Sequence, residues 1–239
     1  MLSFKNRSNQ KELLDCDNIL FEDIKQNMKE LDFINKYLGG HKITVNGLRN
    51  ILKQGKYLLP NKKLVVCEIG CGGGDNLNVL HAWCKKNKVS ACFVGVDINE
   101  HCIAFAKSRI NEKDVSFICS DYKLTEFPEK PDIIFSSLFC HHFANEELKG
   151  MNEWLKNNAS IGFFINDLHR HWLAYYTIKI LTAIFSKSYL VKNDAPISVL
   201  RGFKKNELKE VFTNTNMAIS KTKWAWAFRW LVIHINKTN

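Results

Sequence analysis

The sequence lacks several features that mark other classes of protein. No two of its eight cysteines have the Cys-x-x-Cys spacing that closes a zinc site or a redox loop, and most lie in apolar stretches. No apolar stretch reaches the roughly 18 residues that a membrane-spanning helix needs. The first residues, MLSFKNRSNQKELL, also have no apolar core of a secretory signal. We therefore expect a cytoplasmic protein with reduced thiols.

Positive charge is abundant but not clustered. Lys and Arg number 34 against 24 Asp and Glu, which gives a net charge of +10. The lysines are scattered among Asn and Glu, without a long basic run or an aromatic signature of RNA stacking. Because nucleic-acid binding relies on Lys and Arg patches that neutralise phosphates, we expect no nucleic-acid partner.

From residue 62 onward, short β-branched runs alternate with helical stretches. The runs are LVVCEI, ACFVGVD, VSFICSD, PDIIFSSL and SIGFFIND. This order predicts a parallel sheet, because each strand is followed by a helix that returns the chain. Strands that are apolar throughout are expected where helices cover both faces of the sheet. The predicted fold class is α/β, with a Rossmann-like, doubly wound and mostly parallel sheet.

Both ends of the chain depart from this alternation. Amphipathic stretches at 19–38 and 43–54 precede the first strand, and we expect residues 1–60 to form a helical lid over one end of the sheet. The remainder, 61–239, forms the main domain, with an inserted apolar helix near 172–190.

The C-terminal stretch MAISKTKWAWAFRWLVIHIN alternates with period two, which predicts two adjacent antiparallel strands. If that stretch is extended, Trp224, Trp226, Phe228 and Trp230 share one face, as core or as pocket wall.

A glycine-rich turn, EIGCGGGD, runs from Glu68 to Asp75 between the first strand and a helix. Glycines let such a turn close tightly and let a ligand approach the backbone at the helix N-terminus. A nicotinamide or flavin protein would have glycine or alanine in place of Asp75, since a carboxylate repels a pyrophosphate. The two acidic residues instead favour a cationic adenosine ligand, S-adenosylmethionine.

Acidic residues follow the next two strands. Asp97 ends the second strand, where a carboxylate can accept both hydroxyls of a ribose. Asp121 and Tyr122 follow the third strand, in position to bond an adenine amino group and to cover its ring. Two alternatives stay open, since Asp97 could cap the helix that starts at Asn99 and Asp121 could simply turn the chain.

The motifs EIGCGGGD, VGVDIN, CSDY and DIIFSSLFCHHF resemble the successive motifs of class I S-adenosylmethionine-dependent methyltransferases, over residues 62 to 168. The helix KELDFINKYLGGH, the SSLFCHHF strand end and NDLHRH resemble a bacterial subgroup of the quinone and polyketide type. The resemblance implies S-adenosylmethionine as cofactor and S-adenosylhomocysteine as product. The implied cofactor contacts are Glu68, Gly70, Cys71, Gly72, Gly74, Asp97, Ile98, Asp121, Tyr122, Ser137 and Leu138.

Two neighbouring histidines, His141 and His142, follow the fourth strand at its carboxyl end. An imidazole there could take the proton of a phenolic acceptor as it attacks the methyl group, or it could merely orient the loop. No carboxylate stands at ligand spacing from these histidines in the sequence, so we expect no metal site.

Polar residues at the end of the fifth strand are candidates for binding the acceptor, with structural capping as the alternative. They are Asn166, Asp167, His169 and Arg170.

The expected activity is methyl transfer to an oxygen or carbon of a small hydrophobic or aromatic acceptor, of quinone or polyketide type. The apolar helix WLAYYTIKILTAIF is too short to span a bilayer but can wall a greasy pocket or touch a membrane surface. The alternatives are an RNA or protein methyltransferase, a nicotinamide oxidoreductase, and a cofactor-binding regulatory protein.

Overall fold

The computed structural model describes residues 3–16, 18–53, 63–212 and 219–236. These residues form one seven-stranded sheet of order β3-β2-β1-β4-β5-β7-β6. The strands are β1 (Leu64–Ile69), β2 (Ala91–Asp97), β3 (Val115–Cys119), β4 (Ile133–Ser137), β5 (Gly162–Leu168), β6 (Ile219–Ala225) and β7 (Arg229–Ile235). Strands β1 to β5 are parallel, whereas β7 pairs antiparallel with both β5 and β6. The predicted fold class is confirmed.

Eight helices in the described residues surround this sheet. They are α1 (Phe21–Tyr37), α2 (Gly40–Leu52), α3 (Asp75–Lys86), α4 (Glu100–Arg109), α5 (Asn145–Asn158), α6 (Trp172–Phe185), α7 (Tyr189–Arg201) and α8 (Lys205–Phe212). The strand order reverses between β1 and β4, which opens a crevice at the carboxyl ends of these strands.

The core has two halves because successive side chains of a strand point to opposite faces. Val66 of β1 packs in the cluster that includes α2 and α3, while Cys67 packs in the cluster that includes α5 and α8. Both side chains are fully buried. Apolar residues at every position of β1 except Glu68 therefore follow from helices on both faces.

The two N-terminal helices lie differently from the predicted lid. Helix α2 packs against β5 and β7, and it buries Ile43, Leu48 and Ile51 in the core of the sheet. Its Gly47 lies so close to Phe164 that a Cβ would overlap the ring. Only α1 lies outside this layer, where it contacts α2, α4 and α7. The residues 54–62, which contain the end of the second predicted helix, lie outside the described residues.

The C-terminal strands form a hairpin, as predicted, but the aromatic residues do not share one extended face. Trp224 and Trp230 are direct cross-strand partners, whereas Trp226 and Phe228 lie in the turn between the strands. The chain reverses there, so period two cannot continue through all four residues. Residues 217 and 218 of the predicted stretch lie outside the described residues.

The inserted apolar helix corresponds to α6, which packs against α7. No helix among the described residues is long and apolar enough to cross a membrane.

Candidate active site

The glycine turn joins β1 to α3 at the crevice. Its backbone is left-handed at Gly70, Gly72 and Gly74, with φ of 66°, 50° and 74°, a conformation that only glycine adopts readily. At Gly70 a Cβ would also overlap the ring of Phe139. Helix α1 covers the turn, with Met28 against Gly72. The turn therefore needs glycine both for its backbone and for its neighbours.

Asp97 connects the glycine turn to the end of β2. One of its carboxylate oxygens accepts the N–H of Gly72 at 2.8 Å, and the other accepts the N–H of Asn99 at 2.9 Å. The cap of α4 is instead Asn99, whose side chain accepts two N–H groups of the first turn. The alternative that Asp97 caps this helix is thus wrong. Next to it, Ile98 exposes 74% of its surface at the crevice.

The two acidic residues of the turn have different surroundings. Glu68 is buried, and its Oε1 accepts a hydrogen bond from Asn76 at 3.0 Å. Burial, and secondarily the charge of Asp75, raise the pKa of Glu68 well above its usual range. Asp75 itself binds His41 Nε2 at 2.8 Å and Asn35 Nδ2 at 3.1 Å. Its carboxylate therefore ties α3 to the N-terminal helices, which sequence reasoning about a cationic ligand did not foresee.

The residues after β3 are also partly structural. Asp121 accepts the N–H of Lys123 and caps a short 3-10 turn, Tyr122–Leu124. The ring of Tyr122 is buried edge-on against Phe139 and Trp154. A ring enclosed in this way cannot cover an adenine without leaving the core. Its predicted stacking role therefore conflicts with its position.

Leu138 follows β4 in a left-handed conformation, with φ of 55°. Such a backbone is strained for a residue with a Cβ, and strain of this kind concentrates at functional sites. Its N–H donates to the carbonyl of Asn166 at 2.9 Å, and its side chain lines the main cavity. Ser137 is buried beside it and accepts a hydrogen bond from Asn166 Nδ2 at 3.3 Å.

The two predicted catalytic histidines both line this cavity but have unequal surroundings. His141 is buried, and its Nδ1 lies 2.8 Å from Asp167 Oδ1. Burial alone would lower the pKa of His141, but the carboxylates of Asp167 and Glu12 outweigh it and raise the pKa to about 9. His142 is partly exposed, and its Nδ1 lies 3.1 Å from Asp15. Carboxylates thus lie beside both histidines, although none stands at ligand spacing from them in the sequence.

Asp167 belongs to β5, but Glu12 and Asp15 come from the N-terminal segment 3–16, which sequence reasoning did not assign to the site. The segment lies along the histidine turn, where Arg7 donates to the carbonyls of His141 and Phe143. Arg201 of α7 donates to the carbonyls of His141 and His142. The two guanidinium groups thus hold the backbone that carries the histidines.

The residues at the end of β5 are enclosed by protein. Asn166 donates to the Gly40 carbonyl and to Thr44 Oγ1, each at 3.1 Å. Asp167 accepts from the ring of His141 and from the N–H of Leu168. Both side chains are fully buried, so they orient neighbouring groups from beneath the cavity.

The other two predicted acceptor-binding residues lie to one side of the cavity. His169 Nδ1 accepts a hydrogen bond from Trp224 at 3.2 Å, and burial lowers the pKa of His169 to about 4. Arg170 is buried and pairs with Glu207 at 2.5 Å, while further donors of its guanidinium bind backbone carbonyls. Its position contradicts the prediction that it binds the acceptor, because α8 and the N-terminal segment enclose it.

The main cavity has a volume of about 290 Å³ and a largely apolar wall. Helix α1 contributes Leu31 and Ile34, and Leu38 directly follows it. Helix α6 contributes residues one turn apart, such as Ala174 and Ile178. The hairpin turn closes another side with the side chains of Trp226 and Phe228.

The guanidinium-bearing residue Arg229 also lines the cavity. Its Nη2 donates to Asn35 Oδ1 at 2.9 Å, whereas its Nη1 has no hydrogen-bond partner. Burial lowers the pKa of Arg229 to about 10. Nothing in the sequence around this arginine distinguishes it from others, so only the packing of β7 under α1 reveals it.

The strand order that reverses between β1 and β4, the glycine turn and Asp97 at the end of β2 are features in which this fold resembles class I methyltransferases. Residues 66–158 match the family model described as a methyltransferase domain. The match covers about two fifths of the chain, and it confirms the resemblance to methyltransferases drawn from the motifs.

Curated relatives match part of the chain. A malonyl-[acyl-carrier protein] O-methyltransferase of Priestia megaterium is 30% identical over 105 residues, and its counterpart in Bacillus cereus is 31% identical over 103 residues. Each match covers 43% of this chain, and it spans 37% and 36% of the respective relative.

Solved structures resemble the fold over most of the chain. The plantazolicin methyltransferase BpumL, in complex with SAH, has a TM-score of 0.60 and 18% identity, over 90% of this chain and 96% of that one. The magnesium protoporphyrin IX methyltransferase of Synechocystis PCC 6803, with bound SAH, has a TM-score of 0.55 and 16% identity, over 86% and 87%. At such identities the likeness shows the fold.

Proposed function

We propose that this chain transfers a methyl group from S-adenosylmethionine to an oxygen or carbon of a small, largely apolar acceptor. The observation that carries the proposal is the apolar cavity beside Leu138, at the carboxyl end of β4, where the next residue, Phe139, packs against Gly70 of the glycine turn. Ligands of open α/β sheets bind at this edge, at the point where the strand order reverses. A cofactor over the turn and an acceptor in the cavity would therefore meet there.

The cofactor contacts follow from the crevice. Asp97 holds both of its bonded N–H groups with separate oxygens, and each oxygen keeps a second acceptor site for a ribose hydroxyl. The exposed side chain of Ile98 supplies an apolar surface for the adenine. Bound SAH and SAM in the structures of similar fold support this choice of cofactor.

The acceptor is proposed to be hydrophobic or aromatic, of quinone or polyketide type, because the cavity wall is apolar. Arg229, with one unpaired donor, would bind an anionic group of the ligand. The relatives' names also support a small or carrier-linked acceptor. An apolar cavity of this size favours a small acceptor group over an RNA or protein chain.

In the transfer, the acceptor atom forms a bond to the methyl carbon, and the bond from that carbon to the sulfonium sulfur breaks. Alignment of the two ligands in a site that excludes water supplies much of the rate. A hydroxyl acceptor must also lose its proton. Because the pKa of His141 is raised, its ring is an imidazolium near neutral pH. It can then donate a hydrogen bond to the acceptor but cannot take a proton from it. Of the predicted pair, His142 is the more exposed and also lines the cavity, so we assign it as the base.

Helix α6 supports a peripheral contact with a membrane. Its inner face lines the cavity, while its outer face exposes apolar side chains at helical spacing. A hydrophobic acceptor could pass from a bilayer into the cavity along this helix. The exposed residues are Trp172, Tyr176, Ile180, Ile184 and Phe185.

The experiment has two parts. Calorimetry with S-adenosylhomocysteine on the native chain should show one site, and absence of binding would refute the proposal. Transfer of radiolabelled methyl is then assayed with phenols, quinols and apolar carboxylic acids, and against RNA and protein.

Matched tryptophan variants locate the acceptor. Thr177→Trp fills the cavity from α6 and should raise the KM for the acceptor at least tenfold without changing cofactor affinity. Ile180→Trp on the outer face should leave both unchanged. Equal effects of the two variants would place the acceptor elsewhere.

A further inference from the structure

Three side chains that are distant in sequence meet at one side of the cavity. Glu12 Oε1 lies 3.4 Å from His141 Nε2, and Glu12 Oε2 lies 3.8 Å from His142 Nε2. One ligand atom of each residue lies within 4.8 Å of the others. All three residues line the cavity.

In each imidazole, Nδ1 contacts a second carboxylate, which fixes the orientation of the ring. Asp167 holds Nδ1 of His141 at 2.8 Å, and Asp15 holds Nδ1 of His142 at 3.1 Å. With Nδ1 held in this way, the Nε2 of each ring faces Glu12, and a bound cation would take the place of any proton on that nitrogen. Histidines that bind metals are oriented by carboxylates in the same manner.

The Nε2 atom of His141 has no hydrogen-bond partner, although the side chain is only 2% exposed. A buried polar atom without a partner is costly, so such an atom requires an explanation. Glu12 Oε1 lies at the outer limit of hydrogen-bond distance from this nitrogen without making a hydrogen bond to it. The observed separation instead fits two ligands of one ion, because ligand atoms about 2.1 Å from a tetrahedral centre lie about 3.4 Å apart.

The local charge also suits a cation. Two guanidinium groups lie nearby, but Arg7 and Arg201 direct their donors at backbone carbonyls of the histidine turn. Carboxylates outnumber them. The carboxylates around the two histidines are those of Glu12, Asp15, Asp167 and Asp194.

We propose that Glu12, His141 and His142 bind a divalent transition-metal cation, of the class of Zn²⁺, with an open coordination position toward the cavity. Two imidazoles and one carboxylate form a ligand set typical of such ions. This inference rests on the proposed function for its consequence. An acceptor hydroxyl bound to the cation would release its proton to water, and the resulting oxyanion would attack the methyl group. The cation would then take over the proton removal otherwise assigned to His142.

A second cluster, Asp32, His41 and Asp75, has similar composition but carries no such inference. His41 Nε2 is already bonded to Asp75 at 2.8 Å, and Arg109 pairs with Asp32 at 2.7 Å. It therefore serves as an internal control.

The test is a titration of the chelator-treated full chain with Co²⁺, without cofactor or acceptor. One equivalent should bind and give visible ligand-field bands without the near-ultraviolet band of a thiolate ligand. Glu12→Gln and His142→Asn should each weaken binding at least tenfold, and His41→Gln should not change it. His141 is left unsubstituted because its burial puts folding at risk.

Three outcomes would overturn the inference. The native chain could fail to bind Co²⁺ stoichiometrically, the spectrum could contain a thiolate band, or both Glu12→Gln and His142→Asn could bind Co²⁺ as tightly as the native chain does. Calorimetry with S-adenosylhomocysteine on the same protein separates this question from the proposed function. A chain that binds the cofactor product but not Co²⁺ refutes the cation site alone. A chain that binds Co²⁺ but not the cofactor product supports the cation site and refutes the methyltransferase proposal.

Discussion

Replacement of Asp97 by alanine provides the sharpest test of the cofactor site. Asp97 lies at the end of β2, and it accepts the N–H groups of Gly72 and Asn99 with separate oxygens. In the proposed complex it accepts two further hydrogen bonds from the ribose. The substitution therefore removes both ligand contacts and also the link between the glycine turn and β2.

The magnitude follows from the number of hydrogen bonds lost. A hydrogen bond to a charged group contributes about 1.5–3 kcal/mol, so two ribose contacts contribute about 3–6 kcal/mol. Since about 1.4 kcal/mol corresponds to a tenfold change in affinity, the dissociation constant for S-adenosylhomocysteine should rise by roughly 10²- to 10⁴-fold. The two N–H groups left without an acceptor can reach water at the crevice, so the fold should survive.

The assay is calorimetry, with thermal unfolding followed in parallel by circular dichroism. Asp114→Ala is the matched control, because Asp114 is an exposed aspartate that precedes β3 and pairs with Lys63. It should leave cofactor affinity unchanged. If folded Asp97→Ala binds within threefold of the native chain, the ribose assignment and the reasoning from the strand end are both refuted.

Four further predictions concern the turn, the core and the surface. Gly70→Ala should abolish cofactor binding and destabilise the fold by about 1–3 kcal/mol, because the backbone at Gly70 has a positive φ. Gly150→Ala, in open space on α5, should instead stabilise the fold by up to about 1 kcal/mol. Urea unfolding measures the two changes in stability. Arg170→Met breaks a buried ion pair and should cost several kcal/mol, about 3–5 at most, while the acceptor KM of the folded fraction stays constant; a raised KM would instead restore the acceptor-binding role. Burial lowers the pKa of His234 to about 4 from 6.5, so its contribution to stability is complete above pH 6.5 and is lost as the pH falls toward 4, by up to about 3 kcal/mol. His234→Phe should accordingly show a shallower acid loss of unfolding free energy, and an unchanged slope would contradict this. Ile184→Glu on the outer face of α6 should reduce co-sedimentation with anionic lipid vesicles several-fold, and a native chain that does not sediment would exclude the membrane contact.

For the histidine pair, the sequence predicts the position of the two rings but not the groups that surround them. His141 and His142 were predicted to be near the chemistry because they follow a strand at its carboxyl end, which is a local and topological fact. Their electrostatic state depends on Glu12 and Asp167, which lie 129 and 26 positions away in the chain from His141. The pKa of His141 and the candidate cation site could therefore not be derived from spacing.

Asp75 and Tyr122 illustrate the same limit in the opposite direction. Each stands at a position where the motif suggests contact with a ligand. In the folded chain Asp75 bonds to His41 and Asn35, and Tyr122 packs against Trp154. The identity of such partners depends on helices that pack over the turn from outside the motif.

The sheet, the glycine turn and the strand ends that carry Asp97 and Asp121 could all be predicted from local patterns in the sequence. Each of these depends on short-range preferences, namely hydrophobic periodicity and the backbone freedom of glycine. Three features become visible only in the folded chain. They are the carboxylates that face the histidines, the turn at Trp226 among the aromatic residues of the C-terminal stretch, and the place of Arg229 in the cavity wall. Those features arise where segments far apart in the chain pack together, and the free energy of that packing is set by contacts that no local pattern encodes.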